Sequence, residues 1–139
     1  MIIINTNIVS EFMTSPPQSS VLSWLNAQDA AMLFITSISI AEIKFGLSIL
    51  SIGKRRSALE NAFTSFMELA FQERVLPFEQ TAAYAFGDIL ANQRQIGKPM
   101  SCFDGQIASI ARVSGYALAT RNIKDFANCE IELINPFEY

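Results

Sequence analysis

The chain opens on an unbroken apolar run that ends abruptly in polar residues. Ile2, Ile3 and Ile4 are followed at once by Asn5-Thr6-Asn7. A continuous β-branched run is typical of a strand buried on both faces, as in the centre of a parallel sheet. Ligands of open α/β sheets bind outside the carboxyl ends of the strands. The pattern therefore predicts a central strand with a site at its tip, and position 5 as the first residue of that site.

Further along the chain, the hydrophobic spacing alternates between helical and strand periods. It predicts a short helix or turn over 8–13, a break at 15–17, helices over 19–27, 40–50, 59–70, 79–96 and 103–113, and strands over 32–36, 74–78, 116–120 and 131–134. Ser19 or Ser20 is expected to cap a helix, and Ser39 with Glu42 has the spacing of a capping box. Pro77 makes the strand over 74–78 an edge strand or places its end near Leu76.

Strands that alternate with helices indicate right-handed crossovers and a parallel sheet. We therefore expect an α/β fold in a single domain over residues 1–139, with a small, mainly parallel sheet of four or five strands.

Composition narrows the functional classes. The net charge of −3 argues against a generally basic nucleic-acid binder, although a local basic patch is compatible with it. The absence of histidine excludes His-based catalysis and ligation. Cys102 and Cys129 lack CxxC spacing and are expected to be reduced thiols. The N-terminus resembles neither a signal peptide nor a membrane span, so we expect a soluble cytoplasmic protein with no membrane partner.

Polar residues recur where strands end or where the following helices begin. They are Asn5, Glu42, Asp104 and Asn122, with Asp125 just beyond. If the strands are neighbours, these side chains converge on one pocket. Carboxylates without histidine or thiolate suit Mg²⁺ or Mn²⁺, ions that activate water and stabilise phosphoryl displacement. The pattern favours phosphodiester hydrolysis.

Each residue also has a purely structural interpretation. Glu42 fits a capping box, Asp104 suits any helix start, and Asn5 and Asn122 are common in turns. The alternative to an active site is thus a small α/β domain that carries only capping residues.

Five segments, in order over the whole length, resemble the PIN-domain family, in particular bacterial toxins of the VapC and FitB type from type II toxin–antitoxin systems. The segments are Ile2–Asn7 with Val9-Ser10-Glu11, then Thr36–Gly46, Val75–Phe78, Asp104–Ala108 and Ala119–Phe126. The resemblance implies a three-layer α/β/α domain and a Mg²⁺- or Mn²⁺-dependent endoribonuclease acting on RNA.

The resemblance also assigns roles to residues. Glu42 and Asp104 match metal ligands of the family, Asn5 occupies the position of its first catalytic aspartate, and Asn122 matches a catalytic position that is Asp or Asn among members. Thr6 and Thr120 would orient ligands or water, and Asp125 would add a nearby carboxylate. Lys44 and Arg121 are the candidates for RNA or partner contact.

The implied partners are a cognate antitoxin and a second copy of the chain, as a homodimer or a hetero-octamer with the antitoxin. Operator DNA would be bound only through the antitoxin. We expect the antitoxin to occupy a groove beside the apolar helices at 40–50 and 58–70.

Asparagine at position 5 departs from the family pattern. An amide oxygen can coordinate a hard cation but carries no charge, so the attraction that holds the ion falls. We therefore expect a folded chain that binds its partner but is catalytically impaired. The alternative is a non-catalytic regulatory subunit that binds the antitoxin.

Overall fold

The computed structural model describes residues 1–14 and 16–139, so Ser15, where the predicted break begins, lies outside the described residues. The helices are α1 (Thr6–Thr14), α2 (Ser19–Asn26), α3 (Ser37–Ser48), α4 (Lys54–Ala70), α5 (Gln80–Gln95) and α6 (Cys102–Ser114). The strands are β1 (Ile2–Ile4), β2 (Leu33–Thr36), β3 (Val75–Leu76), β4 (Ala117–Ala119) and β5 (Leu133–Ile134). Short 3-10 turns cover Ala30–Met32, Ile123–Phe126 and Pro136–Glu138.

The strands pair in parallel in the order β3-β2-β1-β4-β5, which makes β1 the centre of the sheet. Ile3 pairs with Phe34 on one side and with Leu118 on the other. The predicted central strand is therefore confirmed, and so is the edge position of the strand before Pro77.

Neighbouring side chains of β1 enter opposite layers of the protein, as the period of a strand requires. Ile4 belongs to the core that the sheet shares with helices α1 to α4, whereas Ile3 belongs to the core shared with α5 and α6. The result is the three-layer α/β/α architecture that the resemblance implied. Both isoleucines are at most 1% exposed, which explains why the run contains no polar position.

Close packing of α5 against α6 depends on Gly105. A Cβ atom at this position would lie 3.0 Å from Leu90 Cδ2 and 3.0 Å from Phe86 Cε1. The glycine thus lets α5 approach the first turns of α6, and that approach places the end of α5 beside Asp104.

The predicted helix caps are wrong in two places. At α2 the N-cap residue is Gln18, and the Ser20 hydroxyl instead donates to the Phe137 carbonyl over 3.1 Å. At α3 the cap is Thr36, whose Oγ1 accepts from the Ser39 backbone N–H over 3.1 Å. Because β2 runs directly into α3, the cap falls on the last strand residue. Glu42 is therefore not part of a capping box.

Candidate active site

Asn5 lies at the junction between β1 and α1, at the carboxyl edge of the sheet. Its backbone N–H donates to the Ala119 carbonyl over 3.0 Å and so extends the pairing with β4. Its carbonyl accepts from the Ile8 N–H over 3.0 Å and so begins α1. This fixed backbone holds the side chain at the strand tip, where it is only 4% exposed.

An acidic cavity of about 390 Å³ opens above this junction. Its lining residues come from the ends of β1 and β4 and from helices α1, α3 and α6: Asn5, Thr6, Asn7, Ser10, Glu11, Glu42, Asp104, Arg121 and Asn122. Sequence-distant candidates are thus brought to one place, as expected for carboxyl ends of neighbouring parallel strands.

Glu42 reaches the cavity from the second turn of α3 and is held by Thr6. The Thr6 hydroxyl lies 2.8 Å from Glu42 Oε1 and 3.0 Å from Ser39 Oγ. Burial raises the pKa of Glu42, the Thr6 hydrogen bond opposes that rise, and the negative charge of Asp104 adds to it.

Asp104 enters the cavity from the first turn of α6. The helix is capped by Ser101, whose Oγ accepts from the Asp104 backbone N–H over 3.1 Å. Burial raises the pKa of Asp104, hydrogen bonding with Ser101 lowers it, and repulsion from Asp125 raises it further. Two partly buried carboxylates are therefore destabilised in their charged forms, and a bound cation would relieve that penalty.

Thr120 lies beneath the cavity, fully buried, and three hydrogen-bond donors converge on its hydroxyl oxygen. They are Asn5 Nδ2 at 2.9 Å, Asn7 Nδ2 at 3.2 Å and the Asn122 backbone N–H at 3.1 Å. A hydroxyl oxygen offers only two lone pairs and must also place its own proton. The threonine is therefore approached by more donors than it can accept.

One of the two side-chain amides is in excess, and the amide of Asn5 makes the shorter of the two contacts. Its Oδ1 accepts from the Thr6 backbone N–H over 2.8 Å, so rotating the amide would remove the conflict at Thr120 and create one at Thr6. A carboxylate at position 5 would accept from both groups, since it has no donor when ionised. The hydrogen-bond pattern around this position is thus better suited to Asp than to Asn.

Three of the sequence candidates do not line the acidic cavity directly. Lys44 is not on the cavity wall, and its Nζ lies 3.7 Å from Glu60 Oε2 on the surface. Asp125 lines a neighbouring cavity together with Asp104, and Thr120 contacts the acidic cavity only through Asn5 and its neighbours.

Sequence reasoning missed Asn7, Ser10 and Glu11 as lining residues. The signal was available, because positions i, i+3 and i+4 share one face of a helix that starts at the strand tip. Asn7 Oδ1 also accepts from the Arg121 N–H over 3.3 Å and joins α1 to the end of β4.

The donor set fits a hard divalent cation, but weakly. Within residues 1–14 and 16–139, no group of three or more His, Cys, Asp or Glu side chains is arranged to hold a metal ion. Glu42 and Asp104 supply carboxylate oxygens, and Asn5 offers a neutral amide oxygen.

In the same described part of the chain, no helix is long and apolar enough to cross a membrane.

A parallel five-stranded sheet between two helical layers, with an acidic cavity at the tip of its central strand, defines the PIN-domain class. A search against family models found no match. The chain is 36% identical over 138 residues to VapC ribonuclease Y4jK of Sinorhizobium fredii, covering 99% of both chains. It is 28% identical over 137 residues to toxin FitB of Neisseria gonorrhoeae, again covering 99% of both.

Solved structures agree with this similarity. The FitAcB crystal structure from Neisseria gonorrhoeae superposes with a TM-score of 0.91 at 27% identity and covers 100% of both chains. FitAB bound to an IR36 DNA fragment gives a TM-score of 0.90 at 28% identity, covering 99% of this chain and 96% of that one. The chain belongs to the VapC/FitB family of toxins.

Proposed function

We propose that this chain is the toxin of a toxin–antitoxin pair and that its acidic cavity is the site of a Mg²⁺- or Mn²⁺-dependent endoribonuclease. The observation that carries the proposal is that Glu42 and Asp104, from separate helices, face one cavity with Asn5 and repel each other there. The name of the relative VapC ribonuclease Y4jK supports the choice of RNA as the substrate.

The residues of the cavity would have separate roles in the reaction. Glu42 and Asp104, with the side-chain amide oxygen of Asn5, would hold the ion. When bound, the ion would supply an activated water and stabilise charge on the phosphodiester. The Thr6 hydroxyl keeps the Glu42 carboxylate oriented toward the cavity. Arg121 and Asn122 lie on the wall at the end of β4, where they can contact the phosphodiester.

We further propose that Asn5 attenuates this activity. The amide contributes no charge to the metal site, and its two polar groups are already engaged with the Thr6 N–H and Thr120. Because Asn and Asp are nearly isosteric, the fold and the surface that binds a partner are expected to be unaffected.

The test is cleavage of a panel of transfer, messenger and ribosomal RNAs by the chain and by its Asn5→Asp variant, with and without Mg²⁺ or Mn²⁺. Asn61→Asp is the matched control, because it makes the same chemical change at an exposed position of α4. We expect strong metal-dependent cleavage by Asn5→Asp alone. Equal, strong cleavage by all three proteins would refute attenuation, and no cleavage by any of them would refute the nuclease.

The proposed protein partner is a cognate antitoxin. An apolar groove of about 280 Å³ lies between α1, α3 and α4 and shares Thr6, Ser10 and Glu42 with the acidic cavity. The apolar lining residues of this groove are Met13, Ile43, Leu47, Leu50 and Leu59. A partner helix could place its apolar face here and direct a cationic side chain toward Glu42.

Several structural neighbours are toxin–antitoxin complexes, among them VapBC2 from Rickettsia felis bound to a DNA fragment from their promoter, with a TM-score of 0.83 at 25% identity. We propose that this chain also binds an antitoxin, as a homodimer or hetero-octamer in the cytoplasm, and that it contacts operator DNA only through the antitoxin. Titration of the folded chain with its antitoxin should show binding that is retained with Asn at position 5. A folded chain that fails to bind would contradict this.

A non-catalytic regulatory subunit is the second candidate. It is favoured by the amide at position 5 and by the finding that, among the described residues, no three His, Cys, Asp or Glu side chains are arranged to hold a metal ion. The Asn5→Asp assay separates the two functions, because a regulatory subunit gains no nuclease activity from this change.

A further inference from the structure

A second cavity, of about 550 Å³, lies on the other side of Asp104 and is lined by residues that the nuclease site does not use. Gln93 comes from the last turn of α5, Lys98 and Met100 from the loop before α6, and Lys124 from the 3-10 turn after β4. Asp104 lines both cavities, so the two are adjoining parts of one surface.

Gln93 has an unusual environment for an amide. It is 2% exposed, and its Oε1 is buried without a hydrogen-bond partner, the only such buried side-chain nitrogen or oxygen among the described residues. Buried polar groups in folded proteins are nearly always satisfied, and one that is not needs an explanation such as a missing ligand. Gln93 lines the cavity, but its Oε1 has almost no accessible surface, so a ligand would donate to this oxygen and remove the penalty only once the side-chain amide turns toward the cavity.

The backbone around Gln93 is fixed. Gly97 adopts a φ of +74° after the end of α5, the Lys98 N–H donates to the Gln93 carbonyl over 2.9 Å, and the Gly97 N–H donates to the Arg94 carbonyl over 3.2 Å. This is a Schellman motif, which ends the helix and sets Lys98 beside Gln93. The wall of the cavity is therefore preorganised.

Charge distinguishes the two cavities. The acidic cavity presents three carboxylates, Glu11, Glu42 and Asp104, against one cation, Arg121. The second cavity balances Asp104 and Asp125 with Lys98 and Lys124. Exposed lysines can neutralise phosphates that flank a bound base.

We infer that this second cavity binds a nucleobase of the RNA next to the scissile phosphate and that the Gln93 amide reads its edge. The inference rests on the proposed nuclease function and adds a specificity site to it. A cavity of this size suits a small planar ligand, and Pro99 and Met100 give it apolar surface. The amide of Gln pairs with a base that carries adjacent donor and acceptor groups, and unstacked bases of single-stranded RNA present such edges.

The experiment is fluorescence anisotropy with four labelled pentaribonucleotides, UUXUU with X as A, C, G or U, in Mg²⁺. We expect the chain to discriminate among them by about five- to a hundred-fold in Kd. Gln93→Leu should reduce the differences to within about twofold, since it removes the bidentate contact. Gln93→Glu keeps the acceptor but loses the donor and should change the preferred base. Gln95→Leu, at an exposed position of the same helix, should leave the preference unchanged.

Thermal unfolding separates recognition from a structural role. Gln93→Leu removes an unsatisfied buried carbonyl, so its Tm should be unchanged or higher while discrimination is lost. Lys98→Ala and Lys124→Ala should weaken the binding of all four probes alike. Each should also reduce the slope of log K against log salt concentration by about one.

Equal binding of the four probes by the chain, or an unchanged preference in Gln93→Leu, would overturn the inference. So would lysine variants that weaken antitoxin binding and leave RNA binding intact, because the cavity would then belong to a protein interface. If Asn5→Asp cleaves RNA while these results are negative, the inference alone fails. If no form binds or cleaves RNA, the proposed function fails with it.

Discussion

Introducing a carboxylate at position 5 should create a strong metal site. The Asn5→Asp change replaces an NH₂ group by a charged oxygen at a side chain that is 4% exposed, beside Glu42 and Asp104. A carboxylate 4 Å from a divalent cation attracts it by about 8 kcal/mol at an effective dielectric constant near 20. Desolvation and repulsion between the carboxylates offset part of this. We expect a net gain of about 1.4 to 2.8 kcal/mol, which makes Mg²⁺ or Mn²⁺ bind about 10- to 100-fold more tightly.

The same substitution changes stability in two opposing ways when no metal is bound. It removes the surplus donor at Thr120, a gain of about 1 kcal/mol. It also adds a fourth carboxylate to a cavity where the pKa values of Glu42 and Asp104 are already raised. Metal should therefore be needed for the full benefit. At a concentration 100 times its Kd the ion would stabilise the variant by about 2.7 kcal/mol, or about 8 °C in Tm.

Isothermal titration with Mn²⁺ measures the affinity for metal, and thermal unfolding in increasing Mg²⁺ measures the stabilisation by metal. The parent chain and Asn61→Asp should bind weakly and alike. Equal affinity of all three proteins for metal would refute the reasoning that charge at position 5 controls the site.

Three further results are expected. Thr6→Val should raise the pKa of Glu42 further, because the opposing hydrogen bond is lost, and should lower the stability of the chain by about 1 kcal/mol. An unchanged pKa of Glu42 in an NMR titration would contradict the role of Thr6. Without metal, the raised pKa values mean that the folded state holds protons more tightly than the unfolded state. The stability contributed by Glu42 and Asp104 should therefore rise as the pH falls through their raised pKa values toward the ordinary ones. Glu42→Gln should weaken this pH dependence of stability in denaturant titrations, and an identical pH profile would count against it. Gly105→Ala should destabilise the chain by about 1 to 3 kcal/mol through overpacking. Gly46→Ala, whose new Cβ would meet no atom within 4 Å, should instead stabilise α3 by about 0.5 to 1 kcal/mol. Equal effects of the two variants in chemical denaturation would contradict the packing argument.

The centre of the sheet could be predicted from the sequence because its signal is local. Three consecutive isoleucines followed by polar residues have few interpretations other than a strand buried on both faces that ends at a site. The edge strand before Pro77 was equally predictable, since proline cannot donate to a ladder.

The role of Glu42 could not be predicted from the neighbouring sequence. Ser39 and Glu42 have the spacing of a capping box, but the cap is Thr36, and Glu42 instead accepts from Thr6 of another helix. A sequence pattern over four residues cannot distinguish these alternatives, because the deciding contact joins residues 36 positions apart.

The crowding at Thr120 is also a property of the folded state alone. Its donors come from the end of β1, from α1 and from the turn after β4, and only their convergence shows that position 5 suits a carboxylate. The resemblance to the family identified the departure at Asn5, and the donors around Thr120 favour a carboxylate in its place.

The most direct test of the central claim is the rate of RNA cleavage by Asn5→Asp relative to the parent chain and to Asn61→Asp. We predict that, at Mg²⁺ concentrations below its Kd, Asn5→Asp cleaves about 10- to 100-fold faster than either, as a gain of about 1.4 to 2.8 kcal/mol in metal binding implies, and that EDTA abolishes the difference. Equal rates for the three proteins, or cleavage that is indifferent to EDTA, would contradict the account.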